Sequence, residues 1–231
     1  MKEEGVTATP HSTLHSSNSK KEVIKVSSYR TIKERSQDEF VVKKSRFIGY
    51  VCPVKTEEEA KAFIEEIKKK HWDATHNVWA YSLREGMIRR FSDDGEPQGT
   101  AGIPTLDVIL KEDVVDCCVV GTRYFGGILL GGGGLVRAYS HTAKIALDAG
   151  GIITMALCKI VRVQADYNFY GRLVPLICEE GGIVEDTVFA DNVEVTFRIP
   201  EEDVNRFEAR LVDVSNGRFH SEVIDEKFCE L

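Results

Sequence analysis

The chain lacks the long hydrophobic segments that membrane proteins and secreted precursors carry. No stretch of about 20 consecutive apolar residues occurs, which is the length that a membrane-spanning helix needs. Residues 1–20 are rich in Ser, Thr, His and Lys and contain no unbroken apolar run of the kind that a signal peptide requires. We therefore expect a soluble, cytoplasmic protein with no membrane partner, in which residues 1–20 form a disordered tail.

The six cysteines lack the spacing of a metal site or a disulfide framework. They stand at positions 52, 117, 118, 158, 178 and 229, no two of them form a CxxC motif, and most lie in apolar runs. Cys117 and Cys118 are adjacent, so they point to opposite faces of any strand. We predict buried free thiols rather than zinc ligands or disulfides.

Motifs of the common nucleotide-binding enzymes are missing as well. The segment Gly126–Gly134 does not end in the Gly-Lys-Ser/Thr of a P-loop, nor is it a GxGxxG motif with an acidic residue about 20 positions later. Neither Ser nor Cys occurs in a recognisable nucleophile setting. These absences argue against a nucleotidase or dehydrogenase, and we expect no catalytic residue, no resident metal and no cofactor.

Positive charge is scarce in the last third of the chain. The net charge is -7, and residues 159–231 hold 8 Lys+Arg against 16 Asp+Glu, whereas residues 1–158 are close to neutral. A phosphate-binding surface is therefore expected in the first part. The acidic second part would contact protein or orient the first.

Two glycine-rich polar loops, each followed by a helix, are the strongest signal that is present. The first, FSDDGEPQGTAG, spans residues 91–102, and the second spans residues 126–134. Glycine loses more conformational freedom on folding than any other residue, so such loops are costly unless their backbone approaches a ligand or another segment closely. Tyr124 and Phe125, beside Arg123, would either stack a base or close the core at a strand end.

The helix predicted at Leu135–Ala149 suggests a chemistry for the second loop. Arg137, His141 and Lys144 lie on one stripe, opposite the apolar residues. Free amide groups at the helix start, together with Arg137, would converge on an anion such as a phosphate. The alternative is that Gly126–Gly134 makes only a tight crossover and that the basic stripe is solvated.

Acidic residues in the first loop leave a second possibility open. Asp93, Asp94 and Glu96 surround a turn, and His76 lies upstream. Oxygen ligands of this kind suit Mg²⁺ or Mn²⁺, as in a metal-dependent hydrolase. The alternative is structural, because Asp-Gly is a common turn signal and acidic side chains readily accept hydrogen bonds from nearby amides.

Strands and helices alternate along residues 21–157, as in an α/β or α+β domain. Glu39–Val54 predicts a strand pair or one long strand, and Thr56 with Glu59 predicts a capping box at the next helix. Residues 158–231 predict the order βαββαβ, which is the ferredoxin-like arrangement. We place the boundary between the two domains at residues 157 and 158. One face of the first helix is predicted to be apolar: Ala60, Phe63, Ile64 and Ile67.

The two loops carry a resemblance to a known family. The strings Ser92–Pro97 with Gly99–Gly102, and Thr122–Gly127 with Gly134–Tyr139, closely resemble the IMPACT/YigZ family. The resemblance implies a two-domain α+β protein whose first domain has the left-handed βαβ fold seen in domain IV of elongation factor G. The terminal βαββαβ unit is similar to the added C-terminal domain of bacterial members.

What the resemblance implies about function is a role in translation, since eukaryotic IMPACT proteins regulate it. We hypothesise a regulator that binds RNA or a ribosomal surface through the glycine-rich face. Two alternatives stay open: a metal-dependent hydrolase acting on proline dipeptides, a label sometimes attached to the family, and a protein-interaction module without nucleic-acid binding. The predicted contact residues are Asp93, Asp94, Glu96, Gly99, Thr100, Arg123, Tyr124, Gly126, Gly127, Gly131, Gly134, Arg137, His141 and Lys144.

Overall fold

A computed structural model describes residues 28–230, which form two α+β domains. The predicted tail at residues 1–20 lies outside the described residues. In the first domain, strands two to six form one antiparallel sheet in the order β2-β3-β6-β4-β5. Its elements are β1 (Ser28–Ile32), β2 (Ser36–Val42), β3 (Ser45–Pro53), α1 (Glu57–Lys70), β4 (His76–Ser82), β5 (Arg89–Ser92), α2 (Gly102–Lys111), β6 (Cys117–Tyr124) and α3 (Gly132–Gly150).

The first two strands of this sheet form a tight hairpin, so the strand-pair alternative is the correct one for this segment. Lys43 and Lys44 make the two-residue turn, with φ values of 45° and 63°. Two consecutive residues with positive φ are typical of the type I′ turn, whose twist matches that of the flanking strands. The turn therefore carries two adjacent lysines outward at one end of the sheet.

Helices cover both faces of the sheet. The side chains Ala60, Phe63, Ile64 and Ile67 of α1 are buried against one face, as predicted, while α2 and α3 cover the other face. Cys117 and Cys118 are buried in the two opposite clusters, which confirms their alternation. All six cysteines are free thiols, and Cys178 is the exposed one.

The cap of α1 differs from the predicted capping box in one hydrogen bond. The Thr56 hydroxyl accepts from the Glu59 amide at 3.2 Å, as expected. The Glu59 carboxylate, however, accepts from the amide of Lys55 at 2.6 Å and not from that of Thr56. Both bonds still satisfy amide groups at the helix start.

The second domain has the ferredoxin-like order that the sequence predicts. Its strands are arranged β10-β7-β9-β8 with all neighbours antiparallel, and the two helices enclose a single apolar core with the sheet. Its elements are β7 (Ile152–Ala165), α4 (Tyr167–Glu179), β8 (Ile183–Phe189), β9 (Val193–Pro200), α5 (Val204–Ser215) and β10 (Ser221–Glu230).

One strand connects the two domains. β7 runs without a break across the predicted boundary at residues 157 and 158, and its first residues pair with β1 while the later ones pair with β9 and β10. Beside this strand, the guanidinium of Arg84 lies 4.2 Å from the ring centroid of Tyr29 and 4.9 Å from that of Phe228. The beginning and the end of the described chain therefore meet at one arginine of the first domain.

Candidate functional site

The glycine-rich segment is partly helical, which corrects the prediction that its glycines all precede the helix. α3 begins at Gly132, three residues earlier than predicted, and Gly131 is its N-cap with φ 72°. No side chain caps this start among the described residues, and the first intrahelical bond runs from the Leu135 amide to the Gly131 carbonyl. The amide groups of the first turn thus point out of the helix toward open space, where the macrodipole favours negative charge.

The positions that glycine occupies in this segment are under different structural constraints. A Cβ atom on Gly126 would stand 2.0 Å from the Lys44 carbonyl carbon, so here the tight backbone approach is real. Gly127 and Gly131 have positive φ and open space around them. Gly134 would bring a Cβ to 3.1 Å from the side chain of Leu130. The crossover alternative therefore explains Gly126 and, in part, Gly134.

At two glycines of the first helical turn, neither a tight backbone approach nor a positive φ excludes a larger residue. A Cβ on Gly132 would meet only the Thr100 methyl at 3.9 Å, and one on Gly133 only the Arg137 Nη1 at 4.0 Å. Glycine inside a helix costs roughly 0.5–1 kcal/mol relative to alanine. The internal packing of the chain therefore does not require these two glycines.

A cavity of about 360 Å³ opens between the two glycine-rich loops. Its walls are largely apolar, with Leu130 and Leu135 inside and Phe125 and Leu129 at the rim. The Leu129 side chain is 81% exposed and that of Phe125 is 45% exposed. The backbone at the start of α3 lines the same cavity through Gly131.

The polar side of the cavity is a buried cluster centred on Glu96. Its Oε1 accepts from Arg123 Nη1 at 2.7 Å and from the Tyr139 hydroxyl at 2.8 Å, and His76 Nε2 lies 3.9 Å away. Burial, followed by the nearby Glu96 carboxylate, raises the pKa of Tyr139 far above its usual value. Tyr139 therefore remains a neutral hydrogen-bond donor.

One atom of this cluster has no internal partner. Arg123 is 5% exposed, its Nη2 lies 3.5 Å from the Ser45 hydroxyl, and its Nε is buried without a hydrogen-bond acceptor among the described residues. The guanidinium carbon is 5.4 Å from the ring centroids of Phe47 and Phe125. A buried N–H group without an acceptor is costly, and Arg123 Nε is the unsatisfied donor of this cluster.

The remaining acidic residues of the first loop hold the loop together. Asp93 accepts from the amides of Gly99, Ala101 and Gly102 at 2.8–3.1 Å and so supplies the cap that α2 lacks locally. Asp94 accepts from Lys68 Nζ at 3.0 Å and from the Asn77 amide at 2.7 Å.

These bonds leave little coordinating capacity for a metal. The Asp93, Asp94 and Glu96 carboxylates are already bound to amides or cations, and His76 Nδ1 lies 2.8 Å from the Asp94 carbonyl oxygen. The described residues contain no group of three or more His, Cys, Asp or Glu side chains placed to hold a metal. Thr100 is likewise engaged, since its hydroxyl donates to the Pro97 carbonyl at 2.6 Å.

Tyr124 lies apart from the other predicted contact residues, because it faces α1 while Arg123 faces the cavity. The Tyr124 hydroxyl donates to Asp73 Oδ1 at 3.0 Å and accepts from His71 Nδ1 at 2.8 Å, and His71 Nε2 accepts from Tyr50 at 2.6 Å. Burial lowers the pKa of His71, which favours the neutral ring that this chain of hydrogen bonds requires. The strand alternation of period two separates Arg123 from Tyr124.

The basic residues near α3 fall into two groups. Lys144 is bound by Glu112 at 3.1 Å and by Asp148 at 2.6 Å, so its charge is compensated. Arg137 is exposed and forms no ion pair with any described residue, and His141 packs edge-on against Phe40 at 4.6 Å. Arg137 and His141 share a second, smaller cavity of about 250 Å³ with Lys43.

Sequence analysis missed the lysines of the β2–β3 turn. Lys43 and Lys44 are exposed and have no acidic partner in the described part of the chain, and Lys43 Nζ reaches the Leu129 carbonyl at 3.5 Å. Two consecutive lysines between alternating strands were the available signal. We call the exposed surface formed by Lys43, Lys44, Arg137 and the start of α3 at Gly131–Gly133 the basic rim.

Comparison with known proteins assigns both domains. The model of the Impact N-terminal domain matches residues 43–147, and that of a domain of unknown function, DUF1949, matches residues 163–218. The IMPACT family member YvyE of Bacillus subtilis is 42% identical over 192 residues, which cover 83% of this chain and 88% of that protein. The chain belongs to the IMPACT family. The resemblance of the two glycine-rich loops is thereby confirmed.

Other members of the IMPACT family extend the comparison. YigZ of Escherichia coli is 34% identical over 190 residues, covering 80% of this chain and 92% of its own, whereas the Protein IMPACT of Mus musculus matches over 95 residues, 38% of this chain. A solved structure described as "Crystal structure of an hypothetical protein" aligns with a TM-score of 0.55 and 31% identity, covering 87% of this chain and all of that one. Among residues 28–230, none of the helices has the length and apolar character that crossing a membrane demands.

Proposed function

We infer that this IMPACT-family member regulates translation by binding RNA or an RNA-bearing ribosomal surface through the basic rim of its first domain. The observation that carries the inference is the set of uncompensated charges at one end of the sheet. Lys43, Lys44 and Arg137 are exposed and form no ion pair with a described residue, although the chain as a whole is acidic. Phosphate groups are the partners that such a cluster attracts.

Backbone geometry supports the same surface. The uncapped start of α3 presents amide groups beside Arg137, and helix starts of this kind bind phosphate oxygens. Gly132 and Gly133 leave room for a backbone contact, because no side chain covers them. The basic rim combines amide donors with one arginine and two lysines. Such a set suits a polyanion better than an isolated apolar ligand.

The decisive experiment is co-sedimentation of the purified chain with ribosomes and their subunits across a salt series. We expect binding that weakens as salt rises, because each phosphate contact releases counterions. Arg137→Glu is expected to abolish it, since the change places a negative charge in the basic rim.

Arg172→Glu is the matched control for this experiment. Arg172 lies on α4 in the second domain, is exposed like Arg137 and likewise forms no ion pair with a described residue. The two variants change the net charge equally, so equal losses of binding would mean that only overall charge matters. Binding that is indifferent to salt and to Arg137→Glu would refute the proposal.

The hydrolase alternative receives less support from the site. Its proposed ligands Asp93 and Asp94 accept backbone and lysine hydrogen bonds that fix the loop, and Glu96 is bound to Arg123. A divalent ion would have to break these bonds. Turnover of a proline dipeptide that depends on Mn²⁺ or Mg²⁺ and is lost in Asp94→Asn would reverse this preference.

A further inference from the structure

The cavity beside the basic rim has the dimensions of a small-ligand site. Its volume of about 360 Å³ lies within the range of roughly 300–1,000 Å³ that is usual for such sites. Phe125 and Leu129 stand at its mouth with much of their side chains exposed. Apolar side chains at the mouth of a cavity, beside the exposed cations of the basic rim, suit a ligand that is flat and apolar on one part and anionic on another.

The polar groups inside the cavity match the same kind of ligand. Arg123 and Glu96 line the cavity, and Glu96 Oε1 accepts from Arg123 and Tyr139, so one wall presents a buried ion pair. A nucleobase carries both acceptors and donors on its edges, and its faces are apolar. A purely aliphatic ligand would leave this wall without a polar partner.

The start of α3 fixes where the anionic part would lie. Gly131 and Gly132 line the cavity, and Arg137 lies beside Gly133 on the basic rim, where it lines the neighbouring cavity with Lys43. The cavity and the phosphate-binding position are therefore adjacent, as a base and its own phosphate are within one nucleotide. Lys43, whose Nζ reaches the Leu129 carbonyl, is placed beside the neighbouring phosphate.

We propose that the cavity takes one unstacked nucleotide of single-stranded RNA. The base enters between Phe125 and Leu129 and lies against the wall formed by Arg123 and Glu96, while its phosphate lies at the start of α3. This inference rests on the proposed function and sharpens it, because it restricts the RNA to single-stranded segments such as loops and ends. Bases in a duplex are paired and stacked, so they cannot enter.

The test compares a short single-stranded RNA of mixed sequence with the same RNA annealed to its complement. We expect the single strand to bind on the order of tenfold more tightly or better, in line with the usual strength of stacking between a base and an aromatic ring. Phe125→Ala should remove most of this preference and leave the weaker, salt-dependent binding of the duplex in place.

Phe189→Ala is the matched control, because Phe189 is an exposed phenylalanine of the second domain. It should leave both affinities unchanged. A second measurement does not depend on any variant: the Nε–H resonance of Arg123 in the ¹⁵N spectrum should shift when the single strand is added and stay in place with the duplex.

The outcomes separate the two proposals. Equal affinity for single strand and duplex, with no effect of Phe125→Ala and no shift at Arg123, would overturn the nucleotide site while Arg137→Glu still abolished binding. Absence of RNA binding at low salt, in the wild type as in the variants, would overturn both.

Discussion

The two domains handle their positive charges in opposite ways. In the second domain, every described lysine and arginine except Arg172 forms an ion pair. Most of these residues lie on the strands and helices of the ferredoxin-like unit. In the first domain, Lys43, Lys44 and Arg137 lie together without acidic partners, while Arg123 is paired inside the protein. Other exposed cations of the first domain, among them Lys55, Arg89 and Lys111, likewise form no ion pair with a described residue, and the basic rim differs from them in lying beside an uncapped helix start.

This contrast shows why net charge is a poor guide to partners. A chain of net charge -7 looks unsuited to RNA, but all of that excess belongs to residues 159–231, which hold 8 Lys+Arg against 16 Asp+Glu. Exposed ion pairs neutralise one another locally and add little to stability. The uncompensated cations of the basic rim lie beside a cavity and a helix start, so positive charge is available there although the chain as a whole is acidic.

The largest expected effect tests the buried pair of the first domain. Glu96→Ala would leave the Arg123 charge buried without its partner, which typically costs about 3–5 kcal/mol. Urea unfolding of the wild type and the variant measures the loss. Glu194→Ala breaks the partly exposed pair with Arg162 in the second domain and should cost no more than about 1 kcal/mol. Equal losses would contradict the contrast between the domains.

An intermediate effect is expected for the lysine turn. Lys43→Asn with Lys44→Asn removes both charges, and asparagine tolerates the positive φ of this turn. If each lysine contacts one phosphate, the slope of log K against log salt for single-stranded RNA should fall by about 1.4, or about 0.7 per contact. Arg172→Gln should leave the slope unchanged. A double variant with the wild-type slope would move the phosphate contacts away from this turn.

The smallest effect concerns a glycine that packing does not require. Gly133→Ala should stabilise the chain by up to about 1 kcal/mol, because alanine is the better helix former, and yet weaken RNA binding by covering the first-turn amides. Gly171→Ala is its counterpart in α4, where a Cβ would meet nothing within 4 Å. Thermal unfolding should show a gain for both, and RNA affinity a loss for Gly133→Ala alone. If RNA affinity falls in both variants, or in neither, contact with RNA does not explain the glycine at position 133.

Sequence patterns predicted the features that depend on local periodicity. The buried face of α1, the opposite orientations of Cys117 and Cys118 and the strand order of the second domain all follow from the spacing of apolar residues. The same alternation would have separated Tyr124 from Arg123, had it been applied to the end of β6. These features need only neighbours in the chain.

Features that depend on contacts through space could not be predicted in this way. β1 was missed because its partner β7 lies beyond the whole first domain in the chain. The roles of Asp93 and Glu96 depend on the amides of α2 and on Arg123, which the fold alone brings near them. The early start of α3 was missed because glycine is a poor helix former, so a run of glycines normally indicates a loop.

The shared strand β7 has a consequence for the order in which the protein folds during synthesis. β1 leaves the ribosome first, but the segment with which it pairs, Ile152–Ala156, is made only after the sheet and the three helices of the first domain. The hydrogen-bonding edge of β1 therefore has no partner until this segment has been made. β10, which pairs with the other edge of β7, is translated after the other described strands. Most of the first domain's core can therefore form before Ile152–Ala156 are made, whereas the seam between the domains closes only after β10 has been translated.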